Sequence, residues 1–314
     1  MARYVVAMPT TVSGDLSPAP FGRVMTAMVT PFDLAGDVDL DAAQRLATHL
    51  VDHGCDGVLV SGTTGESATV DDGEQLELLA AVLEAVGERA FVLAGVGTND
   101  TRHSIDKART AAELGAHGLL VVTPYYNRPP QSGLAAHFTA VADATDLPVM
   151  LYDIPSRTGT PIDTETLVRV AEHPRILAVK DAKGDFYGGS WVMARSDLAY
   201  YSGDDAANLG WLAHGAVGVV SVVSHVAGTR YAAMVEAVLE GDLATAQRVH
   251  RELLPAVRGI MTRTQGAIMT KAALQLQGVL ANRTMRLPLV EATADELALL
   301  RTDLAEAALL EGVA

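Results

Sequence analysis

Apolar residues recur along this chain in short runs, and longer amphipathic stretches separate them. Eight runs read as buried strands: Val24–Thr30, Gly57–Ser61, Phe91–Gly95, Gly118–Thr123, Pro148–Tyr152, Ile176–Lys180, Ala199–Ser202 and Gly218–Val222. Between them, Leu40–His53, Asp72–Val86, Thr101–Leu114, Leu134–Ala144 and Thr164–His173 carry the helical period. Such alternation means parallel strands joined by crossover helices. Eight units, with no Gly-x-Gly-x-x-Gly turn after the first strand, predict a closed (β/α)8 TIM barrel rather than a doubly wound sheet. Beyond residue 226 the pattern is helical only, over Thr229–Leu239, Leu243–Leu254, Thr264–Leu276 and Ala294–Leu309. The expected organisation is an N-terminal arm at residues 1–20, the barrel at 21–225 and a C-terminal helical annex at 226–314.

Composition narrows the function classes. A net charge of −15 disfavours nucleic acid and anionic membrane as partners, because phosphates need Lys and Arg. Cys55 is the only cysteine, so no internal disulfide forms and a cytoplasmic setting is expected. The apolar stretch Tyr4–Met8 is too short for a signal-peptide core, and no apolar run approaches the ~18 residues of a membrane span.

In a barrel of this kind, chemistry belongs at the C-terminal ends of the strands. There the chain places Ser61-Gly62-Thr63-Thr64-Gly65-Glu66, Thr123-Pro124-Tyr125-Tyr126-Asn127-Arg128-Pro129, Tyr152-Asp153-Ile154-Pro155-Ser156-Arg157-Thr158-Gly159, Lys180 and Ser202-Gly203-Asp204-Asp205. Lys180 is one of four lysines and closes the apolar run Ile176–Val179. At an ordinary pKa of about 10.4, only ~0.04% of such an amine is neutral at pH 7. Desolvation favours the neutral form, which is the form that attacks carbonyls. A lysine capping a strand beside Asp181 is the plainer account of that residue alone. Gly62–Gly65 is small enough for backbone N–H groups to approach a carboxylate or phosphate, and Tyr152 is placed to move a proton. Arg157, between Pro155 and Gly159, is placed to clamp a carboxylate. Together these suit a 2-oxo acid that becomes an imine and then an enamine. The physics reaches aldolase-type chemistry and leaves the electrophile open.

The runs Gly62–Ser67, Thr123–Pro129, Leu151–Gly159 and Val179–Ala182 resemble the dihydrodipicolinate synthase family, in order, from about Val24 to the last helices. The resemblance implies that Lys180 forms a Schiff base with pyruvate and that Tyr152 is the acid/base. Thr63 and Tyr126 would complete a hydroxyl relay, Tyr126 reaching into a neighbouring subunit's site. Thr64 would hold the pyruvate carboxylate, Arg157 the carboxylate of aspartate semialdehyde, and Gly203 and Val220 would line the site. No cofactor and no metal are implied. The implied product is 4-hydroxy-tetrahydrodipicolinate, and the implied assembly is a homo-oligomer, a tetramer built as a dimer of dimers. Related lyases of sugar acids keep the lysine and tyrosine but need hydrogen-bonding groups where Arg157 stands.

One departure concerns regulation. Many bacterial members bind lysine through histidines past the Gly-Glu-Ser run and a glutamate on the third helix. Here those positions read Asp72, Gln75 and His103, with Asn99 and Tyr125 retained. Weak or absent inhibition by lysine is expected. His49 and His53 stand i, i+4 on one helix without a third ligand and read as a solvated face. Asp204-Asp205 reads as a helix N-cap followed by a first-turn acid, and Cys55 as a buried thiol at the wrong end of the barrel for catalysis.

Overall fold

The structure, a computed structural model, describes residues 19–310. The arm expected at residues 1–20 therefore lies almost wholly outside the described residues. Eight strands, β1 (Val24–Ala27), β2 (Gly57–Val60), β3 (Phe91–Gly95), β4 (Gly118–Val122), β5 (Val149–Asp153), β6 (Ile176–Asp181), β7 (Ala199–Ser202) and β8 (Gly218–Ser221), close into one parallel barrel in sequential order. The helices are α1 (Leu40–Asp52), α2 (Asp72–Val86), α3 (Thr101–Glu113), α4 (Gln131–Ala142), α5 (Pro155–Thr158), α6 (Thr164–Val170), α7 (Phe186–Met193), α8 (Asn208–Ala213) and α9 (Ser224–Leu239), followed by α10 (Leu243–Val257), α11 (Gly266–Leu276) and α12 (Ala294–Glu306). No helix among the described residues is long and apolar enough to cross a membrane.

Local chemistry explains the boundaries. Asp39 caps α1 by accepting from Ala42 N, and Asp71 with Glu74 forms a reciprocal capping box on α2. β1 stops at Ala27, short of the expected Thr30, because the next residues leave the ladder: the Val29 amide donates to the His225 ring at 3.1 Å. The helix α4 starts at Gln131 rather than Leu134, directly after Pro130, whose missing N–H suits a helix entrance.

Two barrel helices that carry no clear apolar period, α7 and α8, are glycine-bearing. A Cβ on Gly189 would collide with the Trp211 ring, and one on Gly210 would sit 2.9 Å from the Phe186 ring. Helix propensity is surrendered there for close aromatic packing between α7, α8 and β7.

The helix α9 runs across residue 225, packing on β1, β8 and α1 as the last outer helix of the barrel. The outer ring thus closes only at Leu239, and the helices that follow form the annex. Its anchor is Asp303 on α12, fully buried, which accepts from Arg258 Nε at 2.8 Å and Arg263 Nε at 3.0 Å. Arg258 opens and Arg263 follows a π-helical turn at Arg258–Thr262, which leads on to α11.

Candidate active site

Side chains in register on neighbouring parallel strands share a face of the sheet. Lys180 on β6 pairs with Tyr152 on β5 and Tyr201 on β7, and Tyr152 pairs in turn with Val122 on β4. Tyr152 and Val122 line the cavity at the barrel mouth, so this set faces inward. Val220 belongs to it through Tyr201↔Gly218 one step below, and is buried.

Lys180 is 4% exposed, and its Nζ lies 4.2 Å from the centroid of the Tyr152 ring. Among the described residues no carboxylate forms an ion pair with it. Burial pulls its pKa down to about 8, against the attraction of Asp205 and with the help of Arg157. The Tyr152 phenol is pushed up to about 12 by burial, with Arg157 and the Thr63 hydroxyl drawing it back. The pair is therefore a readily neutralised amine beside a phenol that keeps its proton at neutral pH.

Gly203 gives the lysine its room. A Cβ there would lie 2.8 Å from Lys180 Cγ and 3.0 Å from Cε. Its amide donates to Asp181 O at 2.7 Å, fixing the chain alongside.

After β2 the chain folds into tight turns. Gly65 N donates to Gly62 O at 3.0 Å and Glu66 N to Thr63 O at 3.2 Å. Among the described residues no acceptor takes the Thr63 or Thr64 amide. Thr64 is buried, and Ser61 and Glu66, at φ 57° and 56°, hold left-handed conformations on either side. The turn thus offers two free amides and two hydroxyls at the mouth, the donor set a carboxylate needs.

Arg157 lies in α5, a single helical turn with Pro155 at its start and Gly159 (φ 78°) at its end. It is exposed, forms no ion pair among the described residues, and lines the cavity. That cavity, of ≈ 600 Å³, is bounded by Thr63, Tyr125, Tyr152, Arg157, Gln265 and Leu289. Of the expected residues Thr63, Tyr152 and Arg157 line it, Lys180 lies behind against the Tyr152 ring, and Thr64, Gly203, Val220 and Tyr126 are not among its lining. Tyr126 is 89% exposed at φ 73°, and Tyr125 takes the place beside the cavity.

The expectation for Asp204-Asp205 is corrected. α8 begins at Asn208, and no side chain caps it. Asp205 is instead a buried carboxylate that accepts from Val222 N at 2.9 Å, Val223 N at 3.0 Å, Asn208 Nδ2 at 3.0 Å and the Ser221 hydroxyl. It ties the ends of β7 and β8 together and supplies the negative charge nearest in effect to Lys180. The acid-rich pair after a glycine imitates a cap, and only the fold reveals the strand-eight amides it serves. Cys55 is buried as expected, and burial raises its thiol to about 11.

A model described as the dihydrodipicolinate synthetase family matches residues 20–307. The chain is 68% identical over 290 residues to the 4-hydroxy-tetrahydrodipicolinate synthase of Kineococcus radiotolerans, covering 92% of this chain and 94% of that one. It is 64% identical over 297 residues to the enzyme of that name from Acidothermus cellulolyticus, covering 95% and 96%. The crystal structure of DHDPS from Cyanidioschyzon merolae with lysine bound superimposes with a TM-score of 0.90 at 43% identity, over 93% of this chain and 99% of that one.

Proposed function

The chain belongs to the dihydrodipicolinate synthetase family, and we propose how its residues divide the reaction that membership brings. It is a lyase, a 4-hydroxy-tetrahydrodipicolinate synthase, and condenses pyruvate with L-aspartate 4-semialdehyde on the route to diaminopimelate and lysine. The observation that carries the assignment of roles is the inward register pair Lys180–Tyr152, a buried amine without an ion-pair partner against a phenol.

Lys180 Nζ adds to the ketone carbon of pyruvate, and loss of water leaves a protonated imine. The pyruvate carboxylate occupies the Thr63–Thr64 turn. A methyl proton then leaves to give the enamine, whose carbon attacks the aldehyde of the second substrate while its oxygen takes up a proton. The amine of the semialdehyde finally displaces Lys180 from the imine carbon, closing the ring and freeing the enzyme. Tyr152 handles the proton at each step. Because it holds its proton tightly, it works through the Thr63 hydroxyl and, from a second copy, Tyr126. Arg157 clamps the semialdehyde carboxylate, with Gly203 and Val220 shaping the wall.

With Tyr126 supplied by a second copy the active unit is at least a dimer, and we place it in a cytoplasmic homotetramer arranged as a dimer of dimers. The C. merolae structure contains lysine. For this chain we propose weak inhibition by lysine, since His103 stands where a carboxylate would serve an ammonium. The test of function is condensation of pyruvate with aspartate semialdehyde, coupled to a reductase that consumes NADPH. Turnover is expected, together with a pyruvate adduct trapped on Lys180 by borohydride. No turnover by a folded oligomer, with the adduct still trapped, would assign a different aldehyde or sugar acid.

A further inference from the structure

Glu66 follows directly on the turn that carries Thr63 and Thr64, and it is the turn's only charged residue. Its side chain and that of Lys271 on α11 are each 1% exposed, with Lys271 Nζ 2.6 Å from Glu66 Oε1. Lys271 also donates to Thr284 O at 2.8 Å, and Arg286 N donates to Glu66 Oε2 at 3.2 Å. The ammonium lies 4.0 Å from the Phe32 ring centroid. Arg286 continues the network outward, bonding Glu74, Gly36 O at 2.8 Å and Thr69 O at 2.9 Å. One carboxylate thus fastens the turn after β2 to the C-terminal annex, across 205 positions of sequence.

A buried ion pair is weak evidence for stability, since apolar replacements of similar volume often do as well. Its location points to another use. Glu66 sits in the left-handed region without being glycine, a conformation that persists only where surroundings enforce it. What enforces it here is the carboxylate's hold on Lys271 and Arg286, assisted by Thr30 Oγ1 donating to Gly65 O at 2.6 Å. Three residues before Glu66 is Thr63, and two before is Thr64.

We infer that the Glu66–Lys271 pair is a positioning device for pyruvate: it fixes the turn whose amides and hydroxyls receive the substrate carboxylate, so that the annex sets pyruvate capture from outside the barrel. Neither residue touches the reacting atoms. The inference rests on the carboxylate-binding role proposed for that turn.

Because the imine forms before the semialdehyde reacts, kcat/KM for pyruvate reports only the steps up to the enamine. Lys271→Met, assayed with the coupled reductase on protein shown by circular dichroism to be folded, should lower kcat/KM for pyruvate by about 10²-fold, as misplacement near 1 Å does. The value for the semialdehyde, clamped by Arg157 on another strand, should stay within about threefold. Glu66→Gln keeps the size and an accepting oxygen and should show the same split in smaller measure, which serves if Lys271→Met does not fold. Equal loss of both constants, or a lowered melting temperature with both unchanged, would reduce the pair to a structural brace and overturn the inference. Thr64→Val separates the two layers. If it lowers pyruvate capture and the pair variants do not, the device is wrong and the cradle stands. If Thr64→Val has no effect either, the cradle itself is wrong.

Discussion

On β5 and β6, two successive register pairs face opposite ways. Tyr152 and Lys180 point into the barrel, and Asp153 and Asp181, one position on, point out to the helices. Each face owns a lysine, and the two lysines live differently. Lys183, just past β6, sits 3.4 Å from Asp153 Oδ2 and donates to Ile162 O at 3.1 Å. The outward carboxylates bear the effect of burial: Asp153 is raised to about 6 by desolvation, with Lys183 opposing, and Asp181 is raised for the same reason. On the inward face it is the lysine that bears it, and no anion is bonded to it. Burial alone does not make a nucleophile. Burial without a bonded counter-ion leaves an amine free to add to a carbonyl, and Lys180, on the inward face of β6, has that setting.

The largest effect expected from this contrast comes from removing each amine in turn. Lys180→Ala should cost at least about 10⁴-fold in turnover and abolish borohydride trapping, since it removes the covalent step. Lys183→Met should trap pyruvate normally and turn over within about threefold per folded molecule. Its cost should appear in denaturant melts, as about 1–3 kcal/mol for the partner group left unpaired. Loss of trapping in Lys183→Met would break the contrast.

A smaller effect tests whether geometry on the inward face is as tight as it looks. Gly203→Ala places a methyl 2.8 Å from Lys180 Cγ, and β7 and β6 are joined there by the Gly203 amide. The amine must shift, and about 10²-fold is expected from the rate of imine formation, read by rapid mixing with pyruvate alone. Full activity would show that the lysine adapts, and that its position owes little to the glycine.

pH sharpens the contrast further. The neutral amine attacks, so raising pH through the pKa of Lys180 increases the reactive fraction. With a pKa of about 8, that fraction runs from about 9% at pH 7 to about 91% at pH 9, so imine formation should rise about tenfold and level off. An ordinary lysine would still be climbing tenfold per unit. Tyr152, raised to about 12, stays protonated throughout this range. Asp205→Asn removes the charge that opposes the shift and should move the rise to lower pH. A rise centred near 10.5 would refute the account of Lys180.

The strands were legible because a buried parallel strand is a short apolar run, and the candidate site could be drawn because barrel chemistry collects where those runs end. Lys180, Tyr152, Thr63, Thr64 and Arg157 all stand at such ends. What stayed hidden needed contacts across the chain. Asp205 reads as a helix cap until the amides of Val222 and Val223 are seen to converge on it. Glu66 reads as part of a motif until Lys271 arrives from the annex. The helices α7 and α8 lack a readable period because their glycines answer to Trp211 and Phe186 rather than to helix propensity. Tyr126 is the reverse case, a residue the motif assigns to a site that its own barrel leaves it outside.

The smallest expected effect extends the comparison to a third lysine. Lys107 on α3 lies 3.2 Å from Asp72 Oδ1 and also bonds Gln75, and His103 Nε2 lies 2.7 Å from Asp72 Oδ2. Like Lys183, Lys107 has its anion. A free lysine molecule arriving here would find Asp72 already shared between a protein ammonium and an imidazole, and would have to displace them. Added L-lysine should therefore inhibit only above about 1 mM, a binding free energy no stronger than about 4 kcal/mol. Lys107→Met with His103→Glu should restore the unpaired anions and bring inhibition into the sub-millimolar range. Sub-millimolar inhibition of the unmodified enzyme would mean that an internal counter-ion does not keep a free ammonium out, and the rule drawn from β5 and β6 would hold only inside the barrel.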